Sequence, residues 1–177
     1  MPGRMEFSTT PDGAAATALA MRINNQGEIT MPKQPAFLAR PSADGCNDNE
    51  TGDNSIHTVV YGTEFFDIGS NFASNTTFTA PVAGKYVFHI THMAEGIGSG
   101  HTDMYINLIT PSYTYAYYVN PYGVFTSTSG VSTFSRTVIA DLAACNTAYV
   151  SIRVGPSGQA KTVDANVNSQ FSGYLLA

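Results

Sequence analysis

The sequence contains no tryptophan and only two cysteines, and just 12% of its residues are charged, against roughly a quarter in an average globular protein. Each scarcity excludes something. Cys46 and Cys145 lie 99 positions apart, so they build no disulfide framework and fit no zinc-binding spacing. They are two unpaired small residues or, alternatively, one long-range disulfide. Basic runs are absent, and the net charge is -5. Phosphate recognition needs clustered Lys and Arg, so nucleic acid is excluded as a partner. No apolar run reaches the roughly 18 residues of a membrane-spanning helix, so membrane insertion is not expected. The opening "MPGRMEFSTT" lacks the basic and apolar regions of a signal peptide. Catalytic signatures are missing too: there is no G-x-S-x-G elbow, no H-E-x-x-H, no Walker loop and no carboxylate pair placed for acid-base work. The chain therefore reads as non-enzymatic.

What is abundant is Ser, Thr, Asn, Gly and Tyr, the composition of a rigid extracellular or structural β-protein. The 177 residues suffice for one domain of ordinary size and a short appendage. Helical signal is nearly nil; "GAAATALAM" (Gly13 to Met21) has alanines for one or two turns but no apolar stripe at helical spacing. From Met21 the period is two. Met21 and Ile23 lead into the turn residues "NNQG", and Ile29 and Met31 lead out on the same alternation, which predicts a hairpin. Such a hairpin with one apolar face does not stand alone in water, so it must pack on repeats of itself or on other chains. "GRMEFSTTPDG" enters as if already in a strand, which suggests a fragment of a longer protein carrying an added start. "PKQP" then interrupts the chain. The expected division is a β segment over residues 1–33 and a globular head over 34–177.

Within the head, strand-like runs recur about every ten residues, as in an antiparallel sandwich. They are "AFLAR", "HTVVY", "TEFFDI", "TTFTAP", "GKYVFHITHM", "DMYINLIT", "YTYAYYV", "STFSRTVIADL", "TAYVSIRVG" and "QFSGYLLA". No connection is long enough for a crossover helix. In "AYVSIRV", Ala148, Val150, Ile152 and Val154 share one face and Tyr149, Ser151 and Arg153 the other, a half-exposed strand. "YVFHI" differs, because Val87 and His89 back a face of Tyr86, Phe88 and Ile90. The last strand differs in the same way: Phe171, Gly173 and Leu175 face one way and Ser172, Tyr174 and Leu176 the other. Two-sided apolarity asks for protein on both sides.

"FTAPVAGKYVFHI", with Phe78, Gly84, Tyr86 and Phe88, resembles the signature strand pair of the complement component 1q globular-head family. "FSGYLL" (Phe171 to Leu176) resembles that family's closing strand, and "PAFLAR" stands where its first strand would be. The three motifs occur in the family's order over about 140 residues. Ile90 stands where the family carries an aromatic. The resemblance implies a ten-stranded antiparallel jelly roll, all-β and shared with tumour necrosis factor, assembled as a homotrimer whose inner sheet faces the neighbouring subunits. Phe78, Gly84, Tyr86, Phe88, Phe171, Gly173, Tyr174 and Leu175 would then serve core and trimer. The N-terminal stretch through "MRINNQGEITMP" resembles the shaft segment of phage and prophage tail fibres, in which strands of three chains are wound together.

His89 and His92 lie three apart on one strand, so their rings point to opposite faces, poor geometry for a shared metal. A hydrogen-bonded histidine, buried or at an interface, is the simpler reading for them and for His101. The loop "DGCNDNETGDN" carries Asp44, Asp48, Glu50 and Asp53, hard oxygen ligands suited to calcium although not in EF-hand order; a solvated loop is the alternative. No other cofactor is expected. Tyr113, Tyr115 and Tyr117 alternate along one strand, with Tyr122 beyond it, and such rings with polar tips suit subunit packing or a receptor surface.

The reading that joins these features is a non-enzymatic homotrimeric adhesion head, the tip of a phage or prophage tail fibre binding a host receptor or glycan. Its location would be the virion, or otherwise the extracellular space. Loops 44–54 and 95–102 would supply the contact, since loops on a rigid scaffold usually carry binding, and threefold presentation would add avidity. A secreted pattern-recognition or matrix-type domain and a purely structural trimerisation cap are the alternatives. From the alternation alone, Leu175→Asp is expected to unfold the head, a loss above about 3 kcal/mol for a charge forced into a core. Tyr174→Asp is expected to leave the fold intact and weaken the trimer. Circular dichroism and sedimentation separate the two, and two variants that both stay folded and trimeric would refute the placement.

Overall fold

The computed structural model describes residues 3–42, 50–124 and 130–177, and these form strands and no helix. β1 (Met5–Thr9), β2 (Ala18–Ile23) and β3 (Ile29–Thr30) make a separate antiparallel sheet in that order. Its expected hairpin is β2–β3. Asn24 closes the turn by accepting hydrogen bonds on its side-chain oxygen from the Gln26 and Glu28 amides at 2.9 Å, and Gly27 supplies the φ of 86° that the turn needs. The alanine-rich stretch does not turn into helix: Ala18 to Met21 pair with β1 instead, because strand pairing satisfies the backbone where no helical stripe offers burial. One side of this sheet carries Glu6 bonded to Arg22 and Arg4 at 2.8 and 3.0 Å. Met5, Phe7 and Ile29 are exposed, and Met5 and Ile29 both pair with Ile23.

The sandwich follows. Its strands are β4 (Ala36–Arg40), β5 (Ile56–Thr58), β6 (Thr63–Ile68), β7 (Phe72–Ala73), β8 (Thr77–Thr79), β9 (Gly84–Ile97), β10 (Asp103–Ile109), β11 (Thr114–Val119), β12 (Gly130–Leu142), β13 (Thr147–Gly155), β14 (Asp164–Ala165) and β15 (Gln170–Leu175). Omitting the two-residue β7 and β14 leaves ten, one for each expected run. One sheet has the order β12-β9-β15-β4-β6, with β14 against β9; the other has β11-β10-β13-β8-β7, with β5 against β13. All pairings are antiparallel. This is the all-β jelly-roll sandwich that the motifs implied.

The core follows from the alternation. Tyr86, Phe88 and Ile90 of β9 and Phe171 of β15 point inward against Ala148, Val150, Ile152 and Val154 of β13 and Met104, Ile106 and Leu108 of β10; all are buried. At the centre the Phe37 ring lies 4.9 Å from Phe72, 5.0 Å from Phe78 and 4.9 Å from Phe171, the last edge-on. Each such ring is worth about 1.5–3 kcal/mol of burial, with aromatic pair geometry adding to it.

β15 fits between β9 and β4 only because of one missing side chain. A Cβ on Gly173 would sit 2.7 Å from Phe88 Cδ1 and 2.9 Å from Phe37 Cε1. The two rings close over the bare backbone. Similarly, a Cβ on Gly84 would strike the Ala177 carbonyl oxygen at 2.6 Å, and that oxygen accepts the Lys85 amide at 2.7 Å. Pro35 accepts from the Leu175 amide at 3.1 Å, and the Gln34 amide side chain donates to the Leu175 carbonyl at 2.7 Å. The last residues are thereby pinned on both edges. Gly173→Ala is expected to cost about 1–3 kcal/mol through overpacking, lowering the denaturation midpoint with an unchanged slope; an unshifted midpoint would mean that the rings give way freely.

Candidate functional site

The β12-β9-β15-β4-β6 sheet turns one face to the core and the other outward. On the outward face the strand register aligns Ile139, Val87, Tyr174, Ala36 and Ile68 in one row across five strands. The next row is Thr137, His89, Ser172, Leu38 and Phe66. Ile139 is 57% exposed, Tyr174 49% and Phe66 48%. Large apolar side chains aligned on an open sheet face mark a contact surface. At its middle the His89 ring nitrogens bond to the Thr137 hydroxyl at 3.0 Å and to the Thr91 and Ser135 hydroxyls at 3.2 Å. Hydroxyls neutralise its polarity, as expected for a bonded histidine.

His92 lies on the opposite face of β9, fully buried, as the three-residue spacing requires. Neither ring nitrogen has a hydrogen-bond partner. Burial alone drives its pKa down to about 4, because the charged ring would lose its hydration. The two histidines share no ligand site.

At the end of the sandwich away from both pinned termini, three loops converge. Thr51 exchanges backbone hydrogen bonds with Val163. Its hydroxyl accepts the Val154 amide at 3.0 Å and donates to the Ser55 carbonyl at 2.7 Å. His101 is buried, and its Nδ1 accepts the Gly98 amide at 2.9 Å, so the proton sits on Nε2. Burial holds its pKa below the usual value, against the opposing pull of the Ala160 and Gly52 backbones. A cleft of about 330 Å³ between these turns is lined by Gly96, Gly98, Gly100, His101, Gln159 and Thr162, among others. The expected loop 95–102 is here. Gln159 and Thr162 were not anticipated, since nothing local in "PSGQAKT" signals that it folds onto "GIGSG".

Of the calcium candidates, Asp44 and Asp48 lie outside the described residues, as does Cys46. Asp53 accepts two hydrogen bonds from Ser55, which lower its pKa. Glu50 is buried, with His57 Nε2 at 3.4 Å. Burial, with Lys161 acting in the same direction, holds His57 below its usual pKa, so the ring is neutral at pH 7. Burial and the Glu50 carboxylate together raise the Tyr61 hydroxyl. Among the described residues no group of three His, Cys, Asp or Glu is placed to hold a metal.

The tyrosines disperse. Tyr113 precedes β11 and packs edge-on to Tyr115 at 4.9 Å. Tyr115 leans on the core, Tyr117 lies 5.7 Å under the Arg136 guanidinium, and Tyr122 follows the strand at its other end. Tyr113 and Tyr122 are separated by six strand residues, about 20 Å at 3.3 Å each, so they belong to no single patch. Cys145 is exposed on the turn between β12 and β13.

Two packed six-stranded sheets with the first and last head strands adjacent at the centre define a jelly roll of the kind shared by complement 1q and tumour-necrosis-factor proteins. The family model for the C1q domain matches residues 42–176, and the chain belongs to that family. The globular domain of zebrafish complement 1qA protein is similar in fold, with a TM-score of 0.54 at 19% identity over 81% of this chain and 98% of that one. Murine APRIL is similar too, at 0.54 and 8% identity, covering 81% of this chain and 100% of that one. The curated proteins yield no match to this chain. Domains of this family are typically extracellular, non-enzymatic binding domains that form trimers.

His92 makes a pH prediction. The folded protein binds a proton there only near pH 4, whereas the unfolded chain binds it near 6.5. Acid therefore favours unfolding: stability is complete above about pH 6.5 and falls as pH drops towards 4. At about 1.4 kcal/mol per pH unit the loss is of the order of 3 kcal/mol. His92→Phe is expected to flatten that part of a stability-versus-pH curve, and a curve of unchanged slope would refute it.

Proposed function

We propose that this chain is a homotrimeric receptor-binding head mounted on a short fibre segment, the tip of a phage or prophage tail fibre that attaches to a host surface. The observation that carries the reading is the open face of the β12-β9-β15-β4-β6 sheet, where Ile139, Val87, Tyr174, Ala36 and Ile68 align and the described residues leave Ile139 and Tyr174 about half exposed. Threefold packing removes that apolar surface from water at about 25 cal/mol per Å², and a closed ring leaves no copy of the face unpaired. The three-stranded N-terminal sheet supports the fibre role. Its Glu6, Arg22 and Arg4 side is satisfied by ion pairs while Met5, Phe7 and Ile29 stay exposed, the arrangement expected of strands that pack against equivalent strands of neighbouring chains. The division of the chain into segment 1–33 and head 34–177 belongs to the same proposal.

In this reading the loops at 50–54, 95–102 and 159–162 face the host, because they lie at the end of the sandwich opposite the fibre segment. Each contact is weak, and three act together. The test begins with solution mass. Three copies of an 18.8 kDa chain give about 56 kDa. Ile139→Asp combined with Tyr174→Asp is expected to yield folded monomer, since each places a charge on a buried subunit contact. Fluorescently labelled trimer should bind candidate bacterial cells saturably and lose binding on loop substitution. A wild-type monomer would refute the assembly, a trimer that attaches to no cells would leave only a structural cap, and loop variants that attach as well as wild type would refute the loops as the contact.

A further inference from the structure

The outer face of the second sheet lies across the sandwich from the apolar row and runs up to the loops, where Asp103 adjoins Thr102 and Asn54. Across β10, β13 and β5, Tyr105, Arg153 and Ile56 stand in one row and Asn107, Ser151 and Thr58 in the next. Large side chains beside small ones leave a trough, and a depression of about 210 Å³ lies there, lined by Ile56, Tyr105, Asn107 and Arg153. Its polar parts are set in advance. The Arg153 guanidinium lies 4.4 Å over the Tyr105 ring and is bonded to the Asp103 carboxylate at 2.5 Å. The Tyr118 ring packs 5.0 Å from Tyr105 and holds it from the neighbouring strand. Ile56 forms a bare apolar wall, 71% exposed.

We propose that this trough is a subsite for one neutral sugar ring. It rests on the reading of the chain as a binding head and adds a contact on the side of each head, just below the loops. A pyranose presents an apolar C–H face and a rim of hydroxyls, each both donor and acceptor. Ile56 and the Tyr105 edge meet the first, and the remaining Arg153 N–H groups meet the second. Asn107 adds a movable partner: its amide nitrogen spends one long bond, 3.3 Å, on the Ser151 hydroxyl, and its oxygen has none. Turning that amide costs little, since such terminal torsions are broad. Charge decides against an anionic ligand. Asp103 already neutralises Arg153, so a carboxylate entering here meets another carboxylate. Size limits the occupant as well, because the depression falls below the roughly 300 Å³ of sites that take drug-sized ligands.

The full chain, labelled for NMR, is titrated with the methyl glycosides of glucose, galactose, mannose and N-acetylglucosamine to about 50 mM, a range suited to millimolar affinity. At least one should shift the Arg153 side-chain and Tyr105 ring signals saturably. Arg153→Gln should weaken binding about tenfold, the worth of one charged hydrogen bond. Ile56→Asp, at an exposed position that cannot unfold the sandwich, should do the same. Absence of shifts at Tyr105 and Arg153 with every glycoside overturns the site. So does equal affinity in both variants, or binding of the methyl glycoside of N-acetylneuraminic acid alone. Trimer mass and cell attachment are measured separately, so an intact, attaching trimer with a silent trough removes this subsite and leaves the head function standing.

Discussion

The closure of Phe37 and Phe88 over the bare backbone of Gly173 is the contact on which the rest depends. It lets β15 slide between β4 and β9, so that the first and last head strands become central neighbours in one sheet. Phe171, one step further along the same face, then reaches Phe37 and Phe72 and joins the aromatic centre. A side chain at 173 would wedge these rings apart. Because the rings belong to three strands far apart in sequence, their packing commits the whole topology at once. Protein interiors are dense enough that a single added methyl group is felt.

That placement creates the surface on the opposite side. Strands alternate, so a β15 that buries Phe171 and Gly173 must turn Ser172 and Tyr174 outward. Its neighbours do likewise with Val87, His89, Ala36 and Leu38. The second sheet is built by the same rule with a different outcome: Tyr149 and Arg153 face outward beside Tyr105 and Asn107, and that face is polar and aromatic. One sandwich thus offers an apolar face, a polar-aromatic face and a loop end, three surfaces of distinct chemistry on a rigid core.

Much of this was legible along the chain. Most head runs became strands, because period-two apolarity and the turn residues between them are local signals, although of "HTVVY" only His57 and Thr58 pair. The opposite burial of His89 and His92 followed from their spacing alone. The alanine-rich stretch, with residues for one or two helical turns but no helical stripe, joins a strand in its second half, because propensity is a weak prior beside a partner strand. Tyr113 and Tyr122 flank one strand in the sequence, and that extended strand holds them at its opposite ends. Arg153 was placed on an outward face, but its stacking on Tyr105 and its bond to Asp103 join residues from different strands. No local pattern announces such a pair.

The sequence by itself determined which residues face inward on each strand, where the turns fall, and that the chain is a jelly-roll domain. Those are consequences of alternation, turn chemistry and three short motifs, all written within a few residues. Only the tertiary structure decided which outward faces lie side by side. It assembled the apolar row from five strands, brought the 159–162 turn onto the 96–101 turn, and formed the trough of Arg153, Tyr105 and Ile56. Surfaces are set by strand order and register. These depend on long-range packing, here on two phenylalanine rings and the glycine they cover.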